Sequence, residues 1–194
     1  MKKTTLRASL IAGAVGLAFC LPVSADTMSK EQYRAEKERI EAQYKAPKQA
    51  CDSLSGNAKD ICMAEAKGNE KVALAELKAR NEATADARYE ARMARANADY
   101  EIAKERCDDK SGNQKDVCLK DAKAAETKAK ADAKVARASD ESTSRGREKV
   151  AETRREASSD TREAQYKAAR ERCDSLAGDA KDQCQQRVRA EYGK

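Results

Sequence analysis

Apolar and small residues recur along this chain in alternating steps of four and three. The first run reads Tyr33, Lys37, Ile40, Tyr44, Pro47, Cys51, Leu54, the second Tyr89, Met93, Ala96, Tyr100, Ala103, Cys107, and the third Tyr166, Ala169, Cys173, Leu176. That spacing belongs to the seam between packed helices, with charged residues filling the positions between. It predicts a first helix over about residues 30–54. Ser29 with Gln32 forms a capping box at its start, and Met28 can staple onto Tyr33. Pro47 should kink this helix, because its ring removes a backbone donor and clashes with the preceding turn.

A cysteine stands near the end of each seam and belongs to a repeat. The pairs Cys51/Cys62, Cys107/Cys118 and Cys173/Cys184 all fit Y-x6-C-D-x3-G-[ND]-x-K-D-x-C, starting at Tyr44, Tyr100 and Tyr166. The first two copies lie 56 residues apart and the third a further 66, so the chain is built from chained supersecondary units. Gly56, Gly112 and Gly178 suit the left-handed position past a helix end, and Asn57, Asn113 and Asp179 suit the N-cap of a following helix. Asp60, Asp116 and Asp182 would then stand at the third helical position, beside free amides. Each motif therefore predicts a tight helical hairpin.

Within a hairpin the two cysteines are equidistant from the Gly junction, which places them at equal height on facing helices. A disulfide needs Cα atoms about 4.4–6.8 Å apart, closer than ordinary helix spacing, and the abundant alanines permit that approach. The expectation is three local bridges, each contributing on the order of 3 kcal/mol. Between the turns, 57–107 and 113–173 would be rods of roughly 75 and 90 Å if continuously helical. The expected interruptions are Gly68-Asn69 and a Ser-rich, flexible stretch at 139–146, which accounts for the extra ten residues of the last repeat. Glu41/Lys45, Glu76/Arg80, Glu126/Lys130 and Glu163/Lys167 are spaced to pair along helix faces.

The start of the chain has another character. Lys2, Lys3 and Arg7 precede an apolar run over 8–21, and Val23-Ser24-Ala25 offers small residues for cleavage. Residues 1–25 read as a Sec-type signal peptide, too short in apolar length to span a membrane, and no second apolar run follows. Cys20 could suggest lipidation, but bulky Phe19 precedes it, and loss of Cys20 with the signal is the expectation. Export would place the remaining six cysteines where structural disulfides persist. The expected organisation is a signal at 1–25, two stapled hairpins at 26–138, an interruption at 139–146 and a third hairpin at 147–194.

Composition then removes most function classes. Residues 26–194 hold only 13 Leu, Ile and Val but 34 Ala, with 37 basic and 34 acidic groups. So little branched aliphatic material cannot build a globular core of that length, whereas Ala, Glu, Lys and Arg are strong helix formers. The fold class is all-α: elongated antiparallel helical hairpins forming a coiled-coil-like bundle, stapled by three local disulfides. A net charge of +3 after the signal gives no support to nucleic-acid binding. The basic tilt of 111–194 favours at most weak contact with anionic lipid or lipopolysaccharide. With no His, no phosphate-cradling loop and no nucleophile elbow, no catalytic, cofactor or metal site is predicted.

On its repeated Tyr-x6-Cys-Asp, Gly-Asn and Lys-Asp-x-Cys elements behind a Sec-type signal, the chain resembles small secreted Ala/Lys/Glu-rich proteins of Gram-negative proteobacteria, sometimes labelled TolA-like or cell-envelope proteins. The likeness to TolA is compositional. The resemblance implies a periplasmic address and supplies no activity. The functional expectation is a non-enzymatic periplasmic spacer or partner-binding rod with an envelope protein as partner, and self-association as a further option. A stress-induced holdase is the alternative, with thiol-redox or metal handling behind it.

Overall fold

The computed structural model describes residues 28–141 and 146–194, so residues 1–25, where the sequence predicts a signal peptide with Cys20 inside it, lie outside the described residues. Six helices follow one another: α1 (Lys30–Cys51), α2 (Gly56–Glu82), α3 (Ala85–Cys107), α4 (Gly112–Asp140), α5 (Gly146–Cys173) and α6 (Gly178–Tyr192). The start of α1 is the capping box read from sequence. Gln32 N–H donates to Ser29 Oγ at 3.2 Å, and Ser29 N–H donates to Gln32 Oε1 at 2.9 Å. Pro47 lies inside α1. The helix stops at Cys51 and not at residue 54, because Asp52, Ser53 and Leu54 turn the chain with three-residue backbone bonds to Gln49, Ala50 and Cys51.

The three hairpin turns use glycine as expected. Gly56, Gly112 and Gly178 have φ of +57°, +52° and +53°, and a Cβ on any of them would meet nothing within 4 Å. The requirement for glycine there is conformational, not steric crowding by neighbours.

The long rods are corrected. The chain folds back between the first two staples, where α2 ends and α3 begins, at Ala83 and Thr84. Ala83 takes the left-handed conformation with φ of 52°, and Thr84 caps α3 by accepting from Ala87 N–H at 3.1 Å. Gly68-Asn69, expected to interrupt, is inside the unbroken α2. Gly68 is buried there, and a Cβ on it would come 3.1 Å from Ala98 Cβ on α3. The glycine marks a close helix approach, not a break. In the second half α4 ends at Asp140 and α5 begins at Gly146, and the core of the interruption expected at 139–146 lies at 142–145, outside the described residues.

Among the described residues each helix packs only on its neighbours in the chain: α1 on α2, α2 on α3, α3 on α4, α4 on α5 and α5 on α6. The result is a serpentine array one helix thick. Among the described residues no second layer covers its faces, so the interior is confined to the seams. Those seams are filled mainly by alanine, with Ala87, Ala91, Ala96, Ala98, Ala131 and Ala133 all buried and Leu77 completely so. Small side chains let helices approach closely, and a chain poor in branched aliphatics can satisfy this geometry where it could not fill a globular core. Of the seam residues read from sequence, Ile40 is buried, and Tyr33, Tyr44, Tyr89, Met93, Tyr100 and Tyr166 are half-buried. Leu176 is a correction: it is 41% exposed, like its counterpart Leu54 at 42%. Both sit in hairpin turns beyond the last helical residue, where no facing helix reaches them.

Candidate functional site

The repeated motif assembles at one end of the array, where the α1/α2, α3/α4 and α5/α6 turns stand side by side. Each carries its disulfide: Cys51–Cys62 and Cys107–Cys118 with Cα atoms 5.6 Å apart, and Cys173–Cys184 at 5.7 Å. These fall inside the range a bridge requires. Cys51, Cys107 and Cys173 are fully buried in their seams. Around the last bridge Ala169, Cys173 and Val188 form a small core, closed by Tyr166 and Tyr192 with ring centroids 5.9 Å apart.

The charged motif positions close each turn. The Asp after the first Cys pairs with the motif Lys across the turn: Asp52 with Lys59 at 3.0 Å, Asp108 with Lys115 at 2.9 Å and Asp174 with Lys181 at 2.9 Å. Asp60, Asp116 and Asp182 prove to be the fifth residues of their helices and exposed, because α2, α4 and α6 begin at the glycine.

The motif Asn has a role that sequence reasoning missed. Ser55, Ser111 and Ala177 occupy the N-cap positions without a side-chain cap bond, so Asn57, Asn113 and Asp179 are not the caps. Asn57 Nδ2 instead donates to the backbone carbonyl of Glu105 at 2.9 Å and to Asp109 Oδ1 at 2.6 Å. Asn113 Nδ2 repeats this one unit later, donating to the Glu171 carbonyl at 3.1 Å. Each Asn thus pins its own turn to the end of the next repeat. Salt bridges run alongside, Arg106 to Glu65 at 2.6 Å and Arg172 to Asp121 at 2.5 Å. In the last copy the sequence changes: Asp179 replaces the amide donor and Arg187 stands where Glu65 and Asp121 do. That departure from the repeat was the available signal.

Away from the turns, charge is paired across seams as well as along helices. Glu76 reaches over to Arg95 at 2.7 Å and not along α2 to Arg80, and Lys78 reaches Glu90 at 2.6 Å. Arg88 and Arg92 converge on Asp140 at 3.1 and 3.6 Å, holding its carboxyl below the usual range, chiefly through the Arg88 hydrogen bond. Lys48 pairs with Glu70 between α1 and α2. Glu126 is the one buried charged residue among those described, with Lys123 at 2.7 Å and Lys130 at 2.6 Å. Burial opposes its charged form, but the two lysines outweigh that penalty and its pKa lies below the ordinary value. Lys123 also sits 5.2 Å from the Tyr100 ring centroid, and Arg137 5.1 Å from that of Tyr89.

These contacts build shape. Every cysteine of the three motifs is engaged in a bridge, and no group of three or more Cys, Asp or Glu among the described residues is gathered closely enough to hold a metal ion. No helix among them is long and apolar enough to cross a membrane. Among the grooves that indent the array are one of about 750 Å³ at the middle stapled turn and one of about 690 Å³ between α2 and α3. No protein-family model, no curated protein and no solved structure matches this chain.

Proposed function

We propose that the protein is a non-enzymatic periplasmic structural and interaction protein of the cell envelope, a stapled helical spacer that presents two broad charged faces to a protein partner. The observation that carries this reading is the one-helix-thick array with its three disulfides aligned at one end. Disulfides of this kind persist in oxidising compartments, in keeping with the basic, apolar and small-residue stretches of the leader. An array without a covered interior has a large surface for its mass, and its ion pairs fix side chains on that surface. Contact with anionic lipid or lipopolysaccharide would be weak, because many of the described cations are matched by neighbouring carboxylates and residues 26–194 carry a net charge of only +3. The alternative, a holdase for unfolded chains, is poorly served by a surface whose large exposed apolar side chains, among the described residues, are Leu54 and Leu176.

The test is fractionation of cells making the full chain, followed by crosslinking in the intact periplasm. Recovery of the shortened, oxidised protein in the periplasmic fraction, crosslinked to a defined envelope protein, is the expected result. Retention in the cytoplasm with reduced cysteines would overturn the reading.

A further inference from the structure

The groove of about 750 Å³ at the middle turn lies within the volume range of small-molecule sites and runs from α3 across α4 toward the end of α5. Ala103, Val117, Ala122 and Ala125 make an apolar lining beside the Cys107–Cys118 bridge. Its polar members divide sharply. Asn113 is committed to the Glu171 carbonyl, Asp121 to Arg172, and Ser175 Oγ to the Arg172 carbonyl. Lys110 and Gln114 are the exceptions: among the described residues nothing takes up the Lys110 ammonium or the Gln114 side-chain amide. The groove therefore offers an apolar wall, one uncommitted positive charge and one uncommitted amide, while its sole carboxylate is already neutralised.

The repeat shows that this is particular to the middle unit. The position of Lys110 is leucine in both flanking turns, Leu54 and Leu176, and that of Gln114 is alanine in both, Ala58 and Ala180, while Ala103 is shared with the third copy as Ala169. Turn closure alone is met by leucine twice. A lysine there adds a charge that the turn does not use.

We propose that this groove binds a single-chain alkyl carboxylate, with the chain along Val117, Ala122 and Ala125 and the carboxylate at Lys110, hydrogen-bonded by Gln114. The recognition is electrostatic at one end and apolar at the other, and it is independent of the spacer role.

The experiment titrates decanoate, below its micellar concentration, into the oxidised protein while following the Val117 methyl resonances. Parallel titrations use decanol and a short apolar peptide with a free C-terminal carboxylate. Lys110→Leu installs the residue of the flanking turns and so leaves the fold intact, and Ala125→Leu narrows the groove at an exposed position. Saturable decanoate shifts, weakened at least tenfold by Lys110→Leu and by Ala125→Leu, with decanol indifferent to Lys110→Leu, are expected. Absence of saturable shifts, equal decanoate binding by Lys110→Leu, or binding of the peptide without decanoate would each overturn the proposal.

Discussion

The side-chain amide of Asn57 donates to the backbone carbonyl of Glu105, 48 residues further along the chain, at 2.9 Å. The same amide reaches Asp109 Oδ1 at 2.6 Å, so one side chain joins the first stapled turn to the second. Substitution Asn57→Asp removes the donor and sets a carboxylate against Asp109. We expect a loss of about 1–2 kcal/mol, read from urea denaturation of the oxidised protein. The reverse change at the last copy, Asp179→Asn, should leave stability nearly unchanged, since among the described residues no helix of another repeat stands beside that turn to accept the bond. Equal effects at the two positions would show that the amide acts within its own turn.

Gly68 and Ala98 bring α2 and α3 together. Gly68→Ala gains about 1 kcal/mol of helix propensity, but its methyl would stand 3.1 Å from Ala98 Cβ, and overpacking typically costs about 1–3 kcal/mol. A net destabilisation of about 1 kcal/mol is expected in chemical denaturation, relieved by the second change Ala98→Gly. Stabilisation by Gly68→Ala alone would mean that the glycine is not there for packing.

What the sequence made legible and what it hid divide along local and non-local physics. The staples, the left-handed glycines and the first capping box depend on residues within a dozen positions of one another, so spacing alone exposed them. The turn at Ala83-Thr84 was hidden because a left-handed alanine carries no composition signal, although Thr84 ahead of Asp86 was a usable start signal for α3. Gly68 was ambiguous for a different reason: glycine within a helical pattern serves either a break or a close approach, and only the facing residue decides. Asn57 suits a cap by residue type alone, whereas its partner lies in the next repeat. The spacing of Leu176 continues the seam pattern, but one step past the helix end at Cys173.

Acid should act on the α4 pairings. The Glu126 carboxyl is held below its ordinary value of 4.5 by Lys123 and Lys130, which overcome the burial that would raise it. A folded pKa below the unfolded one contributes stability that is fully present above the unfolded pKa and is lost as pH falls through the folded value. The drop in urea midpoint between pH 7 and pH 3 should therefore be smaller in Glu126→Gln than in the parent. An identical drop in the two proteins would remove Glu126 from the acid response.

A layer one helix thick scatters differently from a globule. For this length a compact fold would have a radius of gyration of roughly 16 Å. Small-angle scattering of the oxidised protein should give a clearly larger value and a flattened distance distribution. A radius near that of the globule would require the array to close on itself.

The most direct test of the account is the thermal melt of the purified protein lacking residues 1–25, followed by circular dichroism with and without reductant. Closing each short loop contributes on the order of 3 kcal/mol, and seams lined mainly with alanine hold little in reserve. Reduction of the three bridges is predicted to lower the melting temperature steeply and to broaden the transition. An unchanged melt in the reduced protein, with its thiols verified free, would contradict the claim that the staples hold this array together.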